Sequence, residues 1–326
     1  MKAAVVKAAG EAPVYADFDR PYPLAEHHLV DVTAAALSHV TRAKASGSHY
    51  SSTGVFPFVA GLDGTGRRED GERVYFFWPK APFGAMAQQC LVPAANCVPL
   101  PAAIDDVTAA AIAIPGMSSW AALVERARFV AGETVLINGA TGTSGRLAVQ
   151  IAKHLGARKI VATGRNAAAL GALKQAGADV IISLEQDADA LSRVFEAQLR
   201  ERVDVVLDYV WGASALSLLI AAARSLADDQ PLRFVQIGAI SGADLLLPAA
   251  VLRSAPISLL GSGIGSIPSA RMLHAMQQVF DATASAGLQI ATAAVPLEDL
   301  STHWGNLSSQ QRIVFVPGLS GAARGR

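Results

Sequence analysis

The stretch Glu133-Thr-Val-Leu-Ile-Asn-Gly-Ala-Thr-Gly-Thr-Ser-Gly145, running into Arg146-Leu-Ala-Val-Gln-Ile-Ala-Lys153, constrains the fold of this chain more than any other part of it. Apolar Val135, Leu136 and Ile137 predict a strand. Glycines at 139, 142 and 145 predict a tight turn, and Leu147, Ile151 and Leu155, spaced i, i+4, i+8, predict a helix with one buried face. A second apolar run, Lys159-Ile-Val-Ala-Thr163, completes a βαβ unit. In such a unit Gly142 lets the backbone approach a pyrophosphate and Gly145 lets the helix pack on the strand. The N–H groups of Thr143, Ser144 and Gly145 then face the phosphates. Gly139, Thr141, Gly142, Thr143, Ser144 and Gly145 are therefore candidate dinucleotide-binding residues; the plain alternative is a tight turn without a ligand.

The residues after the second strand bear on which dinucleotide. An NAD-selective site places Asp or Glu about 20 residues past the turn to hold the ribose 2′-hydroxyl. This chain has Thr163-Gly-Arg-Asn166 there and no carboxylate. Arg165 is suited to a 2′-phosphate through charge-assisted, bidentate hydrogen bonds, although a solvated loop arginine explains the same residue. The expected cofactor is NADPH, with Gly164, Arg165 and Asn166 at its adenosine end.

The remaining composition bounds the class. With 52% hydrophobic and 17% charged residues over 326 positions, a well-buried chain of two domains is expected. The 27 basic and 27 acidic residues balance, and there is no long basic run, which argues against nucleic-acid or membrane-surface binding. Cys90 and Cys97 are too few for a disulfide framework, so a reducing, cytoplasmic compartment is the simplest expectation. No uninterrupted apolar span of about 20 residues stands out, so no membrane-spanning helix is expected.

Before about residue 114 the chain predicts short strands (3–7, 29–36, 72–77, 88–93) broken by Pro and Gly, with helical spacing only at 107–113 and a turn at 41–46. Beyond it, strands at 134–138, 159–163, 180–183, 203–208, 233–237 and 257–261 alternate with helices at 166–176, 188–201 and 213–226, the pattern of a doubly wound parallel α/β sheet. Residues 268–317 then read as helix, strand, helix, strand, the last strand being Arg312-Ile-Val-Phe-Val.

Several further segments carry a family resemblance over nearly the whole chain. They are the opening Met1-Lys-Ala-Ala-Val-Val6, Val55-Phe-Pro-Phe-Val-Ala-Gly-Leu-Asp63, Asp70-Gly-Glu-Arg-Val74, Phe83-Gly-Ala-Met-Ala-Gln88 and Pro115-Gly-Met-Ser-Ser-Trp-Ala-Ala-Leu123. Together with the glycine turn they resemble the medium-chain dehydrogenase/reductase superfamily, in its zinc-free quinone oxidoreductase-like branch. The resemblance implies a Rossmann doubly wound sheet at 115–264. It also implies a GroES-like irregular β domain at 1–114 and 265–326. Residues 64–70 are a shorter link than the family usually carries, which implies a missing surface hairpin. The family's Asn-x-x-Asp-x-Tyr is replaced by Ser38, Thr41 and Ala43.

In such a fold the ligand lies at the carboxyl ends of the strands. The resemblance implies that main chain after the fifth and sixth strands (Gly238, Ala239, Ile240; Gly261, Ser262, Gly263) approaches the adenosine ribose and the nicotinamide. Turn glycines are the plain alternative. Ser118 either bonds the nicotinamide carboxamide or N-caps the helix that starts after Pro115-Gly116, and Ser38 borders the nicotinamide. Tyr50, His49 and Thr41 are the candidates for proton delivery, beside solvent; Tyr50 and His49 read equally as exposed loop residues. Asp208 reads as a backbone cap, Asp63 as a loop anchor, and Trp120 and Trp211 as packing residues. Zinc relatives need Cys, His and acidic ligands plus a four-Cys lobe; Ser38 and two cysteines spaced Cys-x6-Cys cannot supply them, so no metal is expected.

The expected activity is hydride transfer from NADPH to a quinone or similar small electrophilic acceptor. Reduction of a 2-alkenal, enone or enoyl thioester is the neighbouring alternative. A non-catalytic NADPH-binding sensor or structural protein is the alternative of another class. The apolar run at 243–253 and the strand Pro256-Ile-Ser-Leu-Leu260 predict a homodimer, or a tetramer built from it.

Overall fold

The computed structural model describes residues 1–48, 54–306 and 311–319. Contacts divide the chain into two compact units. One is residues 1–113, 283–285 and 289–326, the other residues 114–282 and 286–288.

The first unit opens with β1 (Lys2–Val6), β2 (Val14–Asp17), β3 (His27–Ala36), helix α1 (His39–Ala45), β4 (Phe58–Val59), β5 (Asp63–Arg68), β6 (Arg73–Phe77), β7 (Gln89–Pro93) and β8 (Cys97–Pro99). Strands β2-β1-β4 make a small antiparallel sheet, and β3 is flanked by β5 and β7 in a larger one. Alternation buries Ala4 and Val6 of β1 with Val30, Phe76 and Met86 in one core. Residues 64–70 are not a link, contrary to expectation. Most of them form β5, which turns directly into β6, with Arg68 N–H donating to the Glu72 carbonyl at 3.0 Å and Gly71 at φ +85.

Helix α2 (Asp106–Ala121) follows and ends in a single π turn (Ala122–Arg126). It passes through Pro115 without breaking, so the expected helix start after Pro115-Gly116 is corrected: the helix begins at Asp106, and the division between the units falls inside it. Residues 106–126 are long and apolar enough to cross a membrane by length and composition, a span the sequence expectation passed over. Here 72% of the apolar window is buried inside the fold.

The second unit continues with β9 (Thr134–Asn138), α3 (Thr143–His154), β10 (Lys159–Gly164), α4 (Ala167–Ala176), β11 (Val180–Ser183), α5 (Ala188–Arg202), β12 (Val205–Asp208), α6 (Gly212–Ser225), β13 (Leu232–Gln236), α7 (Ala249–Arg253), β14 (Ile257–Gly261) and α8 (Ser269–Ala286). All six strands are parallel, in the order β11-β10-β9-β12-β13-β14. That is the Rossmann order, reversing beside β9; in sheets of this kind ligands bind at such a reversal, outside the strand C-termini. Strand β9 is buried throughout because it is central and covered on both faces. Most of α8 belongs to this unit, so the chain leaves it later than the expected residue 265.

The chain returns to the first unit through β15 (Thr292–Pro296), a short α9 (Leu300–His303) and β16 (Arg312–Val316). Strand β16 pairs with β15 in parallel and with β3 antiparallel, completing the larger sheet.

Candidate functional site

The C-terminal rim of the parallel sheet is organised by polar residues that end apolar strands. Asn138 closes β9. Its Nδ2 donates to Asp208 Oδ1 at 2.8 Å and to Ser214 Oγ at 3.0 Å, and its Oδ1 accepts from Thr163 Oγ1 at 2.7 Å. Thr163 Oγ1 in turn accepts the Gly139 N–H at 3.1 Å. Asp208 also receives the N–H groups of Val210 and Trp211, the latter at φ +60. Burial raises the Asp208 carboxyl above its ordinary range, opposed by these hydrogen bonds. It is the backbone cap expected from sequence. Asn138 and Thr163 were not foreseen, though a polar residue closing an apolar strand was the available signal.

On this rim the glycine turn takes a definite shape. Gly139 sits at φ +89, where a side chain would strike Val210. A Cβ on Gly145 would strike the Gly139 carbonyl oxygen and lie 2.6 Å from Ala140 Cα, so glycine is what lets α3 start so close to β9. Gly142 differs. It is the N-cap of α3, and among the described residues its added Cβ would meet nothing nearer than the Gly139 oxygen at 3.9 Å. Among the described residues no side chain caps this helix, so the first-turn N–H groups of Thr143, Ser144 and Gly145 are left to an outside acceptor. Thr141 lies over Gly164, whose Cβ would come within 2.9 Å of Thr141 Oγ1. Arg165 is exposed and makes no ion pair among the described residues. The Asn166 side chain caps α4, its Oδ1 accepting the Ala169 N–H at 2.9 Å.

After β13, Gly238 is required by protein rather than by open space: its Cβ would lie 2.7 Å from the Tyr209 carbonyl. Ala239 accepts the Gly242 N–H at 3.3 Å and Ile240 is exposed. After β14, Gly261 has nothing within 4 Å of an added Cβ, Ser262 is buried, and Gly263 is held in a turn by Ser266.

Ser118 does not N-cap a helix. It lies within α2, and its hydroxyl donates back to the Pro115 carbonyl at 2.9 Å. Its neighbour Ser119, unnoticed in the sequence, is fully buried; its hydroxyl lies 2.7 Å from the Tyr209 hydroxyl and donates to the Pro115 carbonyl at 3.0 Å, with the Ser144 carbonyl 3.2 Å away as an alternative acceptor. Burial drives the Tyr209 phenol above its ordinary range, partly offset by its hydrogen bonds to Ser119 and Ser118. In the first unit, Ser38 N-caps α1, accepting the Thr41 N–H at 2.9 Å, and its hydroxyl lies 2.8 Å from Thr41 Oγ1. Both residues are buried, so Thr41 is a capping partner and not an accessible proton donor. His49 and Tyr50 lie outside the described residues. Asp63 is a buried strand residue beside the Tyr75 hydroxyl (3.1 Å), not a loop anchor. Trp120 is a packing residue, as expected, and Trp211 packs on the sheet core.

Among the described residues no group of three or more His, Cys, Asp and Glu is placed to hold a metal ion. Burial pushes the Cys97 thiol up to about 11 and the fully buried Cys90 thiol well above its ordinary value. Both thiols are therefore held protonated in the folded protein.

A family profile described as zinc-binding dehydrogenase matches residues 145–289. A probable NADPH-dependent quinone reductase of Emericella nidulans is 26% identical over 97% of this chain and 100% of its own length. A trans-enoyl reductase of Aspergillus terreus is 27% identical over 41% of this chain and 38% of its own. Among solved structures, the quinone oxidoreductase of Thermus thermophilus, studied also as its complex with NADPH, superposes with a TM-score of 0.80. It is 22% identical and covers 97% of this chain and 100% of its own.

Proposed function

We propose that this chain, similar to the medium-chain dehydrogenase/reductase superfamily in its quinone oxidoreductase-like branch, is an NADPH-dependent oxidoreductase that reduces a quinone or similar conjugated acceptor without zinc. The observation that carries this is the pairing of an uncapped α3 start at the open Gly142 with the unpaired Arg165 where an acidic residue would favour NAD. In this reading the N–H groups of Thr143, Ser144 and Gly145 hold the pyrophosphate, and Arg165 holds the 2′-phosphate. Bound NADPH supplies a hydride, and the acceptor's own conjugation stabilises the charge that results, so no Lewis acid is needed. The chain's part is to fix the cofactor on a rim that the Thr163–Asn138–Asp208 network holds rigid. The enoyl reductase alternative is kept alive by the match to the Aspergillus enzyme. Two unpaired thiols support a cytoplasmic setting.

The test is oxidation of NADPH and NADH by metal-free protein with 1,4-benzoquinone, 9,10-phenanthrenequinone and a 2-alkenal in parallel. Faster turnover with NADPH, and a quinone preferred over the alkenal, is the expected result. A preferred alkenal transfers the assignment to enone reduction. NADPH binding with no turnover across a wider panel supports a non-catalytic binder.

We further propose a homodimer formed at β14. This strand is the open edge of the sheet, with Ser258 and Leu259 exposed, and the neighbouring Leu246 (91% exposed) and Leu252 extend the apolar surface. Light scattering at micromolar concentration is expected to give twice the chain mass, and Leu259→Glu to shift it toward the monomer. A monomeric wild-type protein rules the interface out.

A further inference from the structure

Arg146 stands in the first turn of α3, at the positive end of the helix dipole, where no acidic residue accompanies it. A cation there is disfavoured by about 0.3–1 kcal/mol unless something offsets it. Its side chain does not turn away to solvent: Nε donates to the Thr141 carbonyl at 3.1 Å, and the residue is half-buried. Thr141 is the same residue whose side chain covers Gly164, immediately before Arg165. One threonine is thus touched on one side by the Arg146 guanidinium and on the other by the backbone that carries Arg165. Neither arginine has an ion-pair partner among the described residues, and residues 134–146 and 159–169 contain no carboxylate. Both arginines are thus anchored beside Thr141, and guanidinium groups that converge on one site repel each other without an anion and gain strongly from a dianion.

We propose that Arg146 is a second specificity-determining residue, forming with Arg165 a two-arginine clamp for a phosphomonoester on the ribose 2′-carbon of the cofactor. The proposal rests on the dinucleotide reading of the glycine turn. The Thr141 carbonyl fixes Nε, which leaves the two Nη groups of Arg146 to present a fork to the phosphate, while Arg165 approaches from the end of β10. A clamp split between a helix start and a strand end also explains why the second-strand position alone carries a single basic residue.

The experiment is equilibrium binding of NADPH and NADH, and of adenosine 2′,5′-bisphosphate and 5′-AMP, to the wild type, Arg146→Gln, Arg146→Lys and Arg165→Gln. Arg146→Gln is expected to weaken NADPH and the bisphosphate about tenfold, the scale of a lost charge-assisted hydrogen bond, and to leave NADH and 5′-AMP within about twofold. Arg146→Lys should recover part of the loss. Equal losses for both cofactors, or no loss for either, overturn the clamp while leaving the NADPH reading intact. A wild type that binds NADPH no better than NADH overturns both.

Discussion

Asp63→Asn is expected to abolish a fall in stability of about 4 kcal/mol that the wild-type protein undergoes between about pH 4 and pH 7. Asp63 is fully buried in β5. Its Oδ2 accepts from the Tyr75 hydroxyl at 3.1 Å, and its Oδ1 has no partner. Burial pushes its carboxyl from 3.8 up to about 7, against the pull of the Arg312 guanidinium and the Tyr75 hydrogen bond. The folded protein therefore holds this proton more tightly than the unfolded chain does. The stabilising contribution is complete below about pH 4 and is lost as pH rises through about 7. At about 1.4 kcal/mol per pH unit, the span from 3.8 to about 7 gives the stated magnitude. Arg312, itself buried with Nε and one Nη unpartnered, sets the upper limit of that window. Arg312→Met should move the upper limit to higher pH, because the guanidinium is what holds the Asp63 carboxyl down. Urea unfolding of the three proteins at pH 4.5, 5.5, 6.5 and 7.5 reads this directly. A stability difference between wild type and Asp63→Asn that stays level across the series refutes it.

The second large effect separates two glycines of one turn. Gly145→Val drives a side chain into the Gly139 carbonyl and Ala140 Cα, backbone atoms that cannot swing away. About 1–3 kcal/mol of stability is expected to be lost, together with NADPH binding by at least about a hundredfold, because the turn must open to admit the side chain. Gly142→Ala meets only open space within the protein, and its φ of −76 is ordinary for alanine. Its melting temperature should fall only slightly, in line with a change of about 1 kcal/mol at an N-cap. Its NADPH affinity should nevertheless drop about tenfold or more, because the added methyl fills the approach to the phosphates. Thermal melts paired with NADPH fluorescence titrations check both. Wild-type affinity in Gly142→Ala would mean that no ligand approaches the backbone there.

The elements legible in the sequence were those whose pattern is local. The central parallel strands β9, β10 and β12 are covered on both faces, so they appear as short apolar runs, and α3 shows its buried stripe in Leu147 and Ile151. What was missed depends on partners far away in the chain. Strand β5 has the sequence Asp-Gly-Thr-Gly-Arg-Arg and the composition of a loop. It is a strand because it lies between β3 and β6, so close that a Cβ on Gly64 would sit 2.7 Å from the Ala34 carbonyl. Pro115 suggested a helix start, yet α2 runs through it. Gly116 beside it permits close packing on Val279, and Ser118 and Ser119 donate to the Pro115 carbonyl. The same tertiary context ties Ser38 and Thr41 to each other at the start of α1, a capping role not read from the sequence. In the glycine turn, by contrast, spacing alone distinguishes the residue that packs, Gly145, from the one left open, Gly142.

The burial of Cys90 and Cys97 has a practical side. Thiol reagents attack the thiolate, and a thiol pushed up to about 11, like that of Cys97, leaves about one molecule in ten thousand ionised at neutral pH; Cys90 lies deeper still. These are the two cysteines of the chain. The natural sequence is therefore already a silent background for site-directed probes: a single cysteine introduced on the exposed surface, at Tyr22 for instance, would carry a fluorophore or spin label alone, without prior removal of native thiols.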